Sequence, residues 1–212
     1  MNFKLPCFDE VTIESWHSQP ASCFSHHGRA CCNTARHWLT SQDYSLDSMG
    51  GNSELLSAPR WIPERYEWGP SPWPLFWCDA VRMKKLDCGA LAAFAREIYL
   101  SRRVKAAPVQ LIQRLTSHGI EQLRAIWRDE PGYFNWLAED KFYHEAVAVS
   151  LDGTAIQIWD PTTGWWVQPV QVDGYGAVLE AKVGPFHPGA QHMLRWGSRA
   201  LAPGTWTTIC DE

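Results

Sequence analysis

The apolar residues of this chain change period at Phe142, and that change limits the folds open to it. Downstream, Tyr143 to Leu151 alternates, with Val147, Val149 and Leu151 on one face and His144, Ala146 and Ala148 on the other. That is the pattern of a β-strand. Asp152-Gly153-Thr154 signals a turn, and residues 155–160 return as a second strand stopped by Pro161. Residues 164–170 and 177–183 read as further strands, and 206–209 as a short last one. Upstream, three segments read as helices. The first opens at Asp87-Cys88. The second opens at Pro108 and runs through Val109, Leu111, Ile112 and Leu115 to a stop at His118-Gly119. The third carries Ile120, Leu123, Ile126 and Trp127 and ends near Pro131-Gly132. Helices first and an antiparallel sheet afterwards predict an α+β fold.

The first of these helices, within Leu86–Ile98, is the most informative. Asp87 is an N-cap residue whose carboxylate can accept from the free N–H groups of the first turn. Leu91, Phe94, Ala95 and Ile98 fall at i, i+3, i+4 and i+7, which gives one apolar stripe, and Ala90, Ala92 and Ala93 allow close approach on other sides. Cys88 stands at the first helical position, where the positive end of the helix dipole favours a thiolate. It is therefore expected to be the most readily alkylated of the 7 cysteines. Gly89 leaves room beside it. The plainer reading of Cys88 alone is a small buried hydrophobe at a helix end.

The formal net charge of −4 gives no basic field for nucleic acid. The first residues, Met1 to Glu10, hold no apolar run of a secretory leader, and no stretch reaches transmembrane length. A cytoplasmic protein with reduced thiols, no membrane partner and no disulfide framework is expected. In the first fifty residues, 11–13 suggest a short strand and Ala35–Leu39 a short helix. Cys23, His26, His27, Cys31, Cys32 and His37 raise the question of zinc. The paired, regularly separated ligands of a zinc site are missing, so a loop with reduced cysteines is the expectation. Residues 48–60 read as a linker or surface loop. Pro63, Pro70, Pro72 and Pro74 exclude long regular structure from 61–78, which reads as an extended aromatic segment beside the Cys88 helix. The 13 tryptophans gather there and at 159–166, filling a core or lining an apolar cleft.

Cys88 at a helix start, His144 on a strand and Asp160 on the next strand form a set suited to acyl transfer. A thiol nucleophile needs a base, and the base needs a carboxylate to orient it. Pairing parity tests the set. A two-residue hairpin loop would place Glu145 opposite Asp160 and send Asp160 to the wrong face. A three-residue loop, Asp152-Gly153-Thr154, would place Ala146 opposite Asp160, so that Asp160 and His144 share a face as diagonal neighbours. The Cys88 stripe is expected to pack on the face of His144, Ala146 and Ala148, bringing the thiol within hydrogen-bond reach of the imidazole.

These residues resemble the transglutaminase-like superfamily. Asp87-Cys88-Gly89-Ala90-Leu91 looks like its catalytic cysteine helix, His144 to Val149 like its His strand, and Ile156 to Thr162 like its Asp strand. The resemblance runs from Cys88 to about Trp166. It implies a papain-like fold, with the nucleophile helix packed on a C-terminal antiparallel sheet. Residues 56–212 would form the catalytic domain, and 1–55 an N-terminal segment packed on it. It implies Cys88 as nucleophile, His144 as general base and acid, and Asp160 as orienting carboxylate. The reaction would pass through a thioester, and the acyl group would go to an amine or to water. The substrate would be a peptide, a small acyl compound or an acylated carrier protein. Relatives supply an oxyanion donor from a side chain upstream of the cysteine, where Trp77, Trp73 and Trp68 stand. Calcium-binding segments of the animal enzymes have no counterpart, so no metal or cofactor is expected. The rival expectation is a non-catalytic binding protein on the same fold.

Overall fold

The computed structural model describes residues 2–3, 11–12, 30–44, 58–71, 76–127, 136–138, 141–150, 156–167, 176–183, 194–196, 199–201 and 206–208. Strands β1 (Asn2–Phe3) and β2 (Val11–Thr12) pair with each other. They are followed by helix α1 (Ala30–Tyr44), the short α2 (Trp61–Arg65), β3 (Glu67–Trp68), α3 (Trp77–Ala80) and β4 (Lys85–Leu86). Helix α4 (Cys88–Ser101) comes next, then β5 (Lys105–Leu115), α5 (Ser117–Trp127), β6 (Trp136–Ala138) and β7 (Lys141–Ser150). The remaining strands are β8 (Gln157–Asp160), β9 (Trp165–Val167), β10 (Gly176–Val183), β11 (Leu194–Trp196), β12 (Arg199–Leu201) and β13 (Trp206–Thr208). The main sheet runs in the order β13-β10-β5-β7-β8-β9, with β6 also on β7, and every pairing in it is antiparallel. The fold is α+β. Among the described residues, no helix is long and apolar enough to cross a membrane.

Helix α4 is the centre of the core. Asp87, in extended conformation, caps it by accepting from the Ala90 N–H at 2.7 Å. Leu91, Phe94, Ala95 and Ile98 are fully buried, and so are Ala90 and Tyr99. Burial of each large apolar side chain is worth about 1.5–3 kcal/mol. From α1, Ala35 and Leu39 join this cluster, so part of the N-terminal segment packs on the core. The described parts of 61–78 also pack there, as the short α2, the two-residue β3 and the start of the short α3.

Two expectations are corrected. The segment from Pro108 is not a helix. It is the middle of β5, where Ala107, Val109 and Leu111 point to one buried face. A short apolar run with Val109, Leu111, Ile112 and Leu115 fits either period, and pairing with both β7 and β10 decides it. Pro108 lies one residue past the end of the β10 ladder, which stops at Val109, so its missing N–H removes no bond there. The second correction concerns the face under α4. The helix stripe packs with Val147, Val149 and Trp159, whereas Ala146 and Ala148 belong to a second cluster with Ala107, Val109, Leu111 and Ile158. The branched valines fill the space beneath the alanine-rich helix better than the small face does.

Candidate active site

The register of β7 with β8 pairs Val147 with Trp159, Ala148 with Ile158 and Val149 with Gln157. Continued one step, it sets Ala146 opposite Asp160. This is the odd-loop parity, and it puts His144 and Asp160 on one face as a diagonal pair. The intervening loop, 151–155, lies outside the described residues. Nε2 of His144 stands 3.0 Å from Oδ2 of Asp160, with both side chains about 2% exposed. The turn after Asp160 completes the arrangement. Thr162 donates its N–H at 2.8 Å and its hydroxyl at 2.7 Å to Oδ1, and Gly164 (φ 76°) closes the turn into β9. Burial alone would push the Asp160 carboxyl up, but His144 and the bonds from His144 and Thr162 bring it below the ordinary value. An acceptor-only carboxylate fixes the proton of His144 on Nε2. Nδ1 is buried and without a hydrogen-bond partner.

Cys88 reaches this site from the α4 side. Strand β6 pairs with Lys141 and Phe142, and β8 with Val147 to Val149 with Asp160 next in register to Ala146, so residues 143–145 lack a described strand neighbour on that edge of β7. The Cys88 sulfur accepts a hydrogen bond from the Glu145 N–H, the amide next to His144. Helix start and His strand thus meet, although α4 lies on the opposite face from the imidazole. The expected thiol–imidazole hydrogen bond is not made, since Nδ1 has no partner. Catalytic hydrogen bonds are often long or misaligned before substrate binds. The expected thiolate is also corrected. Burial pushes the Cys88 thiol well above its ordinary value, the carboxyls of Glu145, Asp87 and Asp160 push the same way, and only the Glu145 N–H pulls it down. Desolvation of a fully buried sulfur outweighs the helix dipole.

Of the three tryptophans, the structure brings Trp68 to the site. The parallel pair β3–β4 sets Trp68 beside Leu86, just before the α4 cap, and Ser71 donates to Asp87 Oδ2 at 2.6 Å. The Trp68 ring meets the His144 ring edge-on, with centroids 5.2 Å apart. Trp77 is core. It stacks on Phe94 at 5.6 Å with 2% exposure. Trp73 lies outside the described residues, as do Cys23, His26 and His27. Among the described residues no group of His, Cys, Asp and Glu is arranged to hold a metal.

Glu145, Tyr143, Gln110 and Thr162 were not among the sequence candidates. Tyr143 donates to Oε1 of Glu145 and accepts from Gln110 Nε2 at 3.1 Å. A signal for this network was present, since Tyr143 and Glu145 fall in phase with Val147 and a glutamate on an otherwise apolar face asks for a partner. The chain matches no protein-family model, no curated protein and no solved structure.

Proposed function

We propose that this chain is a cysteine-dependent acyltransferase or amidohydrolase of transglutaminase-like, papain-like design, with Cys88 as nucleophile, His144 as base and acid, and Asp160 as the orienting carboxylate. The observation that carries the reading is the buried His144–Asp160 pair, which leaves Nδ1 without a partner beside the residue that bonds the Cys88 sulfur. Most buried polar side-chain atoms in folded chains have a hydrogen-bond partner.

The raised thiol supports one order of events. Cys88 rests as S–H, and Nδ1 takes its proton as sulfur bonds to the acyl carbon, in the manner of Ser–His pairs and without a standing ion pair. The carbonyl pair moves to oxygen, and Trp68, whose ring meets that of His144, is the candidate oxyanion donor. Collapse expels the leaving group, which takes the proton from the imidazolium. Water or an amine then opens the thioester with His144 again as base. The expected substrates are peptides, small acyl compounds or acylated carrier proteins. The reading places the protein in a reducing, cytoplasmic setting, which keeps a nucleophilic thiol from oxidising.

A second reading has its own support. A fully buried cysteine with its thiol pushed up is the usual setting of an inert core residue. On that reading the chain is a binding protein. Incubation with cell extract followed by intact-mass measurement separates the two. The enzyme reading expects a mass gain on Cys88 that hydroxylamine removes. An unmodified Cys88 with the adducts elsewhere supports the binding protein.

A further inference from the structure

Among the described residues, Glu145 is the one fully buried carboxyl that the proposed reaction does not use. Glutamate is almost never buried without a partner. Here the partners are a tyrosine hydroxyl and, behind it, an amide, with no cation. Oε2 has no hydrogen-bond partner and lies against Gly89, so closely that a side chain at that position would overlap it. The second oxygen that such a side chain would meet is Oδ1 of Asp87, at 3.3 Å. Two carboxyls therefore flank the start of α4. Asp87 accepts from Ser71 and from the Ala90 N–H and keeps its charge better. Glu145 is left to carry the proton.

We propose that Glu145 is a positioning residue that controls the ionisation of Cys88. Its N–H holds the sulfur, and its carboxyl permits a thiolate while protonated and opposes one when charged. The inference rests on the reading of Cys88 as the reacting group. The groups facing Glu145 are Tyr143 on its own strand, Gln110 on β5, and Asp87 and Cys88 at the start of α4, whereas His144 and Asp160 lie on the other face of the sheet. Of these, Asp87 opposes ionisation of Glu145, and the bonds from Tyr143 and Gln110 favour it; burial, the largest influence, holds it protonated well above the ordinary carboxyl range.

The test is the pH profile of Cys88 alkylation by iodoacetamide, followed on the Cys88 peptide by mass spectrometry, for the full chain and Glu145→Gln. Glutamine keeps the shape and the acceptor for Tyr143 but cannot become charged. The expected result is a midpoint displaced about one pH unit downward, with roughly tenfold faster labelling at pH values between the ionisation of Glu145 and that of Cys88. Tyr143→Phe removes a bond that favours the charged form of Glu145, so it should displace the profile in the same direction by less. Profiles for both variants that superimpose on the wild type would overturn the proposal. Alkylation needs no acyl donor, so that result leaves the acyl-transfer reading to its own test.

Discussion

Replacing Gly89 by alanine tests the packing at the nucleophile end of α4. On an open helix surface this change stabilises by roughly 1 kcal/mol, because glycine loses more backbone entropy on folding. At Gly89 the new methyl would fall on Oε2 of Glu145, with Asp87 Oδ1 another 3.3 Å away. Glu145 is fully buried and cannot swing into solvent. Either α4 lifts from β7 or the carboxyl abandons Tyr143. Overpacking costs about 1–3 kcal/mol, and an unmade hydrogen bond to a buried group costs a similar amount. Set against the gain of about 1 kcal/mol, the balance is a loss of up to about 2 kcal/mol. Urea denaturation followed by circular dichroism measures it, with an unchanged slope showing that the midpoint shift is a stability change. Glu145→Ala should relieve the clash, so the double mutant should be less destabilised than the sum of the singles by about 1–2 kcal/mol. A Gly89→Ala variant more stable than the wild type would refute this geometry.

Two further substitutions probe the cap and the orienting acid. Asp87→Ala removes the bond to the Ala90 N–H and the partner of Ser71, and should cost about 0.5–2 kcal/mol in the same denaturation assay; no change would mean that the cap is made by another group. Asp160 is held below its ordinary pKa in the folded chain, so its contribution is present above the unfolded value of about 3.9 and is lost as pH falls through the folded value. The stability gap between wild type and Asp160→Asn should therefore narrow as the pH falls below about 4. Curves that stay parallel down to acid would contradict the buried His144–Asp160 pair.

The parts of the site that follow local rules were legible in the sequence. Asp87 is a cap because of its side chain and place. The parity argument for Ala146 opposite Asp160 holds because a strand's side chains alternate without exception along an unbroken ladder. The parts that depend on three-dimensional context were not. Residues 108–115 carry an apolar pattern that fits helix and strand alike, and only the flanking β7 and β10 settle it. The face chosen by α4 depends on how alanines on the helix meet valines on the sheet, and residue spacing does not encode that volume. The state of the Cys88 thiol is hidden from the sequence for a related reason. The helix dipole is visible in the order of residues, whereas the burial that outweighs it comes from the whole core.

The most direct test of the account is whether His144 acts on Cys88. p-Nitrophenyl acetate is small and activated, so it needs no specificity pocket. Its acetyl transfer to the Cys88 peptide can be timed by mass spectrometry after an acid quench, in the wild type and in His144→Ala. The account predicts acetylation of Cys88 that is removed by hydroxylamine and slowed about 100-fold or more without the imidazole, the usual scale of general-base assistance. Equal rates of Cys88 acetylation in the two proteins would contradict it.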